Sequence, residues 1–304
     1  MVVVAVAGTG LVGKQIIHEL LLSGKHTVIV LSRSPKPEFT SKGALVKAVD
    51  YSSVPSIATA LSDHSEPVHT VISCIASFDL PEMVKSQLNL LQAAKQVGAK
   101  RFAPSEFGMP REANQIIEVY HEIKDPVWKA AEESGLEVTA FTCGLFMNYL
   151  AHGYVNPNAQ KELDGAERTF AFVVDIKEGK ADIPGTGKEL ITLTRWQDVG
   201  KFVAAAVELD KWEKDLSMAG DVTTYNEVVK IAEEVTGKKF EVVKHSAAEL
   251  REEAGSKSNI LEKAFAEANL VRALGLAYAE PRLNKVVHVK PMSVKEFITI
   301  CWSK

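Results

Sequence analysis

Apolar residues fall along this chain in two alternating rhythms. Residues 2–7 (VVVAVA) form an unbroken apolar run, the pattern of a strand covered on both faces, and residues 14–22 then carry Ile16, Ile17, Leu20 and Leu21 at helical spacing. The pairing recurs. Residues 27–31 (TVIVL), 44–49 (ALVKAV), 68–75 (VHTVISCI), 101–104 and 136–142 (LEVTAFT) predict further strands. Residues 54–61 predict a helix capped from Ser52 or Ser53, and residues 82–97 one framed by Pro81 and Gly98. Such alternation predicts an α/β fold with a doubly wound parallel sheet of the Rossmann type.

From residue 151 the rhythm loosens. Pro157, Asn158 and Gly165 mark loops, and residues 170–174 and 189–193 read as strands joined by a turn at 184–187. Residues 197–209, capped near Thr194, and 223–236 and 246–277 are helical, with a short strand at 240–243 and a docking helix at 293–302. No repeat, low-complexity tract or linker interrupts the chain. Residues 151–304 are therefore expected to be a smaller α+β substrate lobe, interleaved with a domain of residues 1–150.

The first strand runs into Gly8-Thr9-Gly10-Leu11-Val12-Gly13, and the helix follows at once. In a dinucleotide-binding turn the three glycines permit the turn, let the backbone approach a pyrophosphate, and let the helix pack close to the strand. The helix N-terminus then offers unpaired N–H groups to phosphate. About 20 residues further on, NAD-binding chains place an acid against the ribose 2′-hydroxyl. Here stand Ser32, Arg33 and Ser34, with Lys36 and Lys42 close by, a set suited to a 2′-phosphate and so to NADP(H). The alternative is that Arg33 is a solvated loop residue. Asp50 is expected near the adenine end, or is simply a strand-end turn residue. Small Ala76, with Ser77, suits close passage of the cofactor. Residues 1–150 are thus expected to form an NADP-binding Rossmann domain.

The chain has 304 residues, 46% of them hydrophobic, enough for a sizeable core. Lys and Arg number 35 against 39 Asp and Glu, a net charge of −4 that argues against nucleic-acid or membrane-surface partners and leaves a small-molecule substrate as the expected one. Cys74, Cys143 and Cys301 are odd in number and far apart, which suggests neither disulfides nor a metal and fits the reducing cytoplasm. His121, His152 and His245 lack ligand spacing and read as structural or surface residues. The opening apolar run has no basic flank of a signal peptide, and no run reaches the roughly 18 residues of a membrane span.

Candidate chemistry lies in residues 118–135, where Tyr120 and Lys124 stand at a spacing that puts both on one helical face. Asp125 and Pro126 complicate this, because they also read as the start of a new helix or as a kink. In that case the pair is split and Tyr120 is a packing residue. After the sixth strand comes the apolar stretch CGLFMNYL, at the place where a doubly wound sheet opens its crevice. Phe146, Met147 and Tyr149, with Phe107 and Met109 and the single polar group Asn148, either line a substrate pocket or belong to the core.

GTGLVGK at the start, the arginine of VLSRS, and above all RFAPSEFG at residues 101–108 resemble the isoflavone reductase-like and NmrA-like proteins, an atypical branch of the short-chain dehydrogenase/reductases. The stretches TRWQDVGKFVAAAV and TYNEVVKIAEEVTGKK look like the C-terminal lobe of that family, so the likeness covers most of the chain. The resemblance implies that Lys124 is the active-site lysine, and it is expected among the cofactor-binding residues as well. Tyrosine four residues before it is unusual in that branch and is similar instead to the wider superfamily, whose Ser, Tyr and Lys group implies Ser105 as the serine. Two readings follow. One is an NADPH-dependent oxidoreductase passing hydride to a small, largely apolar, aromatic carbonyl or conjugated substrate. The other is a non-catalytic NADP(H)-sensing regulator, although such members of the family tend to lack the lysine.

Overall fold

The computed structural model describes residues 1–303 except 155, 157, 158, 160, 161 and 166–168. Six strands build the main sheet: β1 (Val3–Ala7), β2 (Thr27–Ser32), β3 (Leu45–Ala48), β4 (Val68–Ser73), β5 (Arg101–Ala103) and β6 (Glu137–Val138). Every pairing is parallel and the order is β3-β2-β1-β4-β5-β6, so the strand order reverses between β1 and β4, where doubly wound sheets open a crevice. All five residues of β1 are buried, as its unbroken apolar run demands.

Helices cover both faces. α1 (Leu11–Ser23), the short α2 (Pro37–Thr40), α3 (Val54–Ser62), α4 (Leu80–Gln96), α5 (Glu118–Ile123) and α6 (Asp125–Glu132) follow their strands in turn. Ser53 caps α3 through Ser56 N–H, and Asp79 caps α4 through Glu82 N–H. The sixth strand is shorter than its apolar run suggests. Beyond Val138 the chain leaves the ladder, and Ala140 bridges only to Asp215.

The rest of the chain returns to this sheet. β7 (Leu145–Phe146), β8 (Val174–Asp175), β9 (Lys180–Pro184), β10 (Leu190–Thr194), β11 (Asp221–Thr224) and β12 (Glu241–His245) form two small sheets of order β11-β10-β7 and β12-β9-β8. α7 (Trp196–Ala206) packs against α1, and Gly200 is what lets them touch: a Cβ there would stand 2.7 Å from the Gln15 carbonyl oxygen. α8 (Tyr225–Thr236), α9 (Ala247–Ser256), α10 (Ile260–Ala273) and α11 (Val294–Trp302) complete the fold. Ser246 and Ser293 each form a capping box at the start of α9 and α11.

Several expectations for this half change. Of residues 170–174 only Val174 lies in a strand, and β9 was not anticipated, because its K-A-D-I-P alternation has a polar face and ends on proline. Pro157 and Asn158 lie outside the described residues. The expected cap near Thr194 is replaced by a tertiary one. The N-cap of α7 is Arg195, which makes no capping bond, and the Trp196 N–H donates instead to Asn148 Oδ1 at 3.0 Å. No described helix is long and apolar enough to cross a membrane.

Candidate active site

The first glycine turn is built as its spacing demands. Gly8 has φ +102°, and a Cβ there would lie 2.6 Å from the Cys74 carbonyl oxygen on β4's exit. A Cβ on Gly13 would lie 2.1 Å from the Gly8 carbonyl oxygen, so α1 and β1 touch only because residue 13 has no side chain. Gly10 differs. A Cβ there meets nothing within 4 Å, and no side chain caps the helix it begins, whose first turn carries no acid. The first N–H groups of α1 thus open onto free space, the environment a pyrophosphate requires.

That space is a cleft of about 570 Å³ along the C-terminal edge of β1, β2 and β4. Gly8, Thr9 and Gly10 line it, as do Arg33, Lys36 and Asp50 toward one end and Ala76 toward the other. Asp50 fits both of its readings: it faces the cleft and also shapes the turn, because its Oδ1 accepts from the Ser52 hydroxyl at 2.7 Å and N–H at 2.8 Å. Those bonds, the hydroxyl's first, hold its carboxyl below the usual range. Tyr51, missed in the sequence, also lines the cleft, donates to the Leu31 carbonyl at 2.9 Å, and has its phenol pushed up by burial.

Three of the expected cofactor residues stand outside the wall of the cleft. Lys42 does not line the cleft; it belongs to the turn after α2, where its N–H donates to the Phe39 carbonyl. Leu11 and Val12 likewise contribute no wall. Leu11 packs beneath Gly165, Val12 joins the apolar layer under α7, and only their backbone belongs to the turn. Gly13 acts through packing alone.

Beyond β5 the chain carries Ser105, Glu106 and Phe107. Gln87 of α4 holds two strand ends together, accepting from Ser73 Oγ at 3.0 Å and from the Ser105 N–H at 2.9 Å. Glu106 is 2% exposed and lies between two cations, with Arg111 Nη1 at 3.2 Å and Lys124 Nζ at 3.5 Å. Arg111 is itself stacked on Trp128 at 4.3 Å and lies 3.5 Å from Asp125. Asp125 in turn accepts from Asn114 and His121 at 2.7 Å each.

Pro126 does not split the pair. α5 and α6 meet at Lys124 (φ −100°, ψ −46°), whose N–H donates to the Tyr120 carbonyl and whose carbonyl accepts from the Trp128 N–H, both at 2.9 Å. The helical path therefore crosses the junction, and proline, in the first turn of α6, sits where its missing N–H matters least. Lys124 Nζ stands 4.6 Å over the centre of the Tyr120 ring. Ser105, by contrast, lines neither the cleft nor the cavity described next, and its backbone bond to Gln87 gives it a place in the scaffold.

Beside Tyr120 opens a second cavity of about 320 Å³ with a mostly apolar wall. Phe107, Met109, Phe146 and Tyr149 line it together with Tyr120. Met147 and Asn148 do not. Both are fully buried: Met147 packs near Gly220, and Asn148 spends its amide on α7, accepting from Trp196 N–H and donating to Gln197 Oε1. In their place α10 supplies Leu261, Phe265 and Arg272, and Phe170 and Phe172 complete an aromatic wall with Tyr149, ring centres 5.1 to 5.9 Å apart. Residues 261, 265, 268 and 272 lie on one helical face, a pattern visible in the sequence but indistinguishable there from a core face. The first turn of α4 separates the two spaces, with Leu80 on the cavity and Glu82 and Met83 on the cleft. Among the described residues no group of His, Cys, Asp and Glu could hold a metal. The three thiols are free, and burial pushes that of Cys143 up to about 12.

A parallel sheet of this order, with an uncapped glycine-led helix facing a cleft at its switch point, defines a Rossmann-type dinucleotide-binding protein. Residues 1–298 match the model of the NmrA-like family, and the chain belongs to that family. It is 37% identical over 246 residues to Oxidoreductase BOA1 of Botryotinia fuckeliana (strain B05.10), covering 79% of this chain and 78% of that one. Phenylcoumaran benzylic ether reductase TP7 of Nicotiana tabacum is 27% identical over 254 residues, covering 79% and 76%. Among solved structures, the ternary complex of leucoanthocyanidin reductase from Vitis vinifera superposes with a TM-score of 0.76 at 21% identity, covering 97% and 98%, and shares the fold.

Proposed function

We propose that this protein is an NADPH-dependent reductase that transfers hydride to a small, largely apolar, aromatic carbonyl or conjugated substrate. The observation that carries it is Lys124: an ammonium 11% exposed, held between Glu106 and the Tyr120 ring, beside an aromatic cavity that adjoins a dinucleotide cleft. A regulator needs the cleft but has no use for a half-buried cation held against Tyr120 and Gly108, two residues of the apolar cavity's wall. The curated relatives named as an oxidoreductase and a reductase support the same reading.

In the cleft, Arg33 and Lys36 would take the 2′-phosphate and the α1 N-terminus with Gly10 the pyrophosphate. Bound there, NADPH supplies the hydride. The aromatic wall orients the substrate and excludes water. Lys124 Nζ then donates the proton that neutralises charge developing on the substrate, and Glu106 holds the ammonium in place. Tyr120 serves Lys124 through its ring. The reducing cytoplasm suits the three free thiols. The test is oxidation of NADPH with a panel of aromatic enones and aldehydes. Turnover above background is expected for at least one, and NADPH binding with no turnover across the panel would favour the regulatory reading.

A further inference from the structure

We propose that the cavity selects aromatic substrates bearing an anionic substituent, a carboxylate above all, which docks on Arg272 at the end of the cavity formed by α10. This rests on the reductase reading and names the substrate class of the same site. Arg272 is the only charged side chain among the described residues that line the cavity, and it is 2% exposed. Burying a guanidinium is costly unless a counter-charge and hydrogen bonds compensate. Here compensation is incomplete. Nη1 donates to Asn269 Oδ1 at 3.2 Å and the group lies 4.4 Å over the Phe172 ring, but no carboxylate among the described residues is within ion-pair distance.

The acid nearest along the same helix is engaged elsewhere: Glu267 accepts from the Glu118 N–H at 3.0 Å and faces Lys263 at 3.8 Å. The cavity wall thus carries a desolvated cation whose missing partner is an anion entering through the cavity. Tyr120, Tyr149 and Arg272 all line this one cavity of about 320 Å³, so one molecule can touch both ends. An aromatic ring then rests against Tyr149 and Phe172, its reducible group toward Tyr120 and Lys124, its carboxylate toward Arg272.

The test is calorimetric titration of the full-length protein, saturated with NADP+, with trans-cinnamate and with its neutral counterpart cinnamamide. Cinnamate is expected to bind about ten- to hundredfold more tightly. Arg272→Met should abolish that preference while leaving cinnamamide and NADP+ binding unchanged, and Arg272→Lys should retain part of it. Equal affinity of the wild type for the two ligands, binding of neither, or a preference that survives Arg272→Met would overturn the proposal. The wild-type comparison decides even if a variant fails to fold. Failure of the reductase reading would show differently, as a preference for cinnamate in a protein that oxidises NADPH with no aldehyde or enone.

Discussion

Gly10 and Gly13 are three residues apart in one turn, yet replacing each by alanine should damage different things. A Cβ at residue 13 would lie 2.1 Å from the Gly8 carbonyl oxygen and 3.1 Å from Cys74 Cβ, and the first of these is backbone that cannot rotate away. β1 and α1 must separate to admit it, an overpacking cost of about 1–3 kcal/mol. At about 2–4 °C per kcal/mol for a domain of this size, Gly13→Ala should lower Tm by about 2–12 °C. Residue 10 has φ −72°, which alanine adopts freely, and no atom within 4 Å of the new Cβ. Its weaker capping and the reduced freedom of the unfolded chain offset each other to within about 1 kcal/mol. The methyl group enters the open space before the α1 N–H groups, however, where the proposed function places the pyrophosphate. Losing one charge-assisted bond of about 1.5–3 kcal/mol weakens NADPH binding about 10- to 100-fold. Differential scanning calorimetry and NADPH titration of both variants measure this. A Gly10→Ala variant that binds NADPH like the wild type, or a Gly13→Ala variant that melts with it, would refute the division of labour.

Arg33→Ala should weaken NADPH about 10- to 100-fold while leaving NADH nearly unchanged, and equal losses in calorimetric titration would remove its 2′-phosphate role. Tyr120→Phe should keep nearly full kcat because Lys124 rests on the ring, whereas Tyr120→Leu should lose about tenfold or more; a drop of about 10² with phenylalanine would make the hydroxyl the acid instead. Burial alone would raise the Asp198 carboxyl, but bonds and charge from Arg195, then Lys201 and the Met292 N–H, hold it below the usual range. A depressed carboxylate stabilises fully above its unfolded pKa and loses that contribution as pH falls through its folded value, so the pair's contribution should be intact at neutral pH and disappear only in strong acid. Asp198→Asn should cost about 1.5–3 kcal/mol at neutral pH in urea unfolding, since it leaves the buried Arg195 with Glu162 as its carboxylate partner, and its stability should fall less steeply in acid than that of the wild type.

The sheet was legible because its strands are buried on both faces and therefore read as apolar runs bounded by glycine, proline and caps. The glycine turn was legible too, since its spacing encodes contacts within one βα unit. What depended on distant segments was not. Residues 147 and 148 look like their neighbours 146 and 149, and only the arrival of α7 decides that Asn148 caps a helix while Tyr149 faces the cavity. Phe170 and Phe172 read as strand residues because alternating aromatics suit a sheet, yet their rings pack on Tyr149 and Phe265. Asp125 and Pro126 carried a true helix boundary, but whether the path bends there depended on the Tyr120 to Trp128 hydrogen bonds. The wall from α10 lies more than 100 residues along the chain from Lys124, and nothing local marks which of its faces meets a cavity.

The central claim is that Lys124 delivers the proton beside a cleft that binds NADPH without its help. The most direct measurement is NADPH oxidation by wild type and Lys124→Ala with a substrate found by the panel, alongside NADPH affinity by titration. The account predicts a fall in kcat of about 10² or more with NADPH affinity unchanged within about threefold. A Lys124→Ala variant that turns over at the wild-type rate would contradict it.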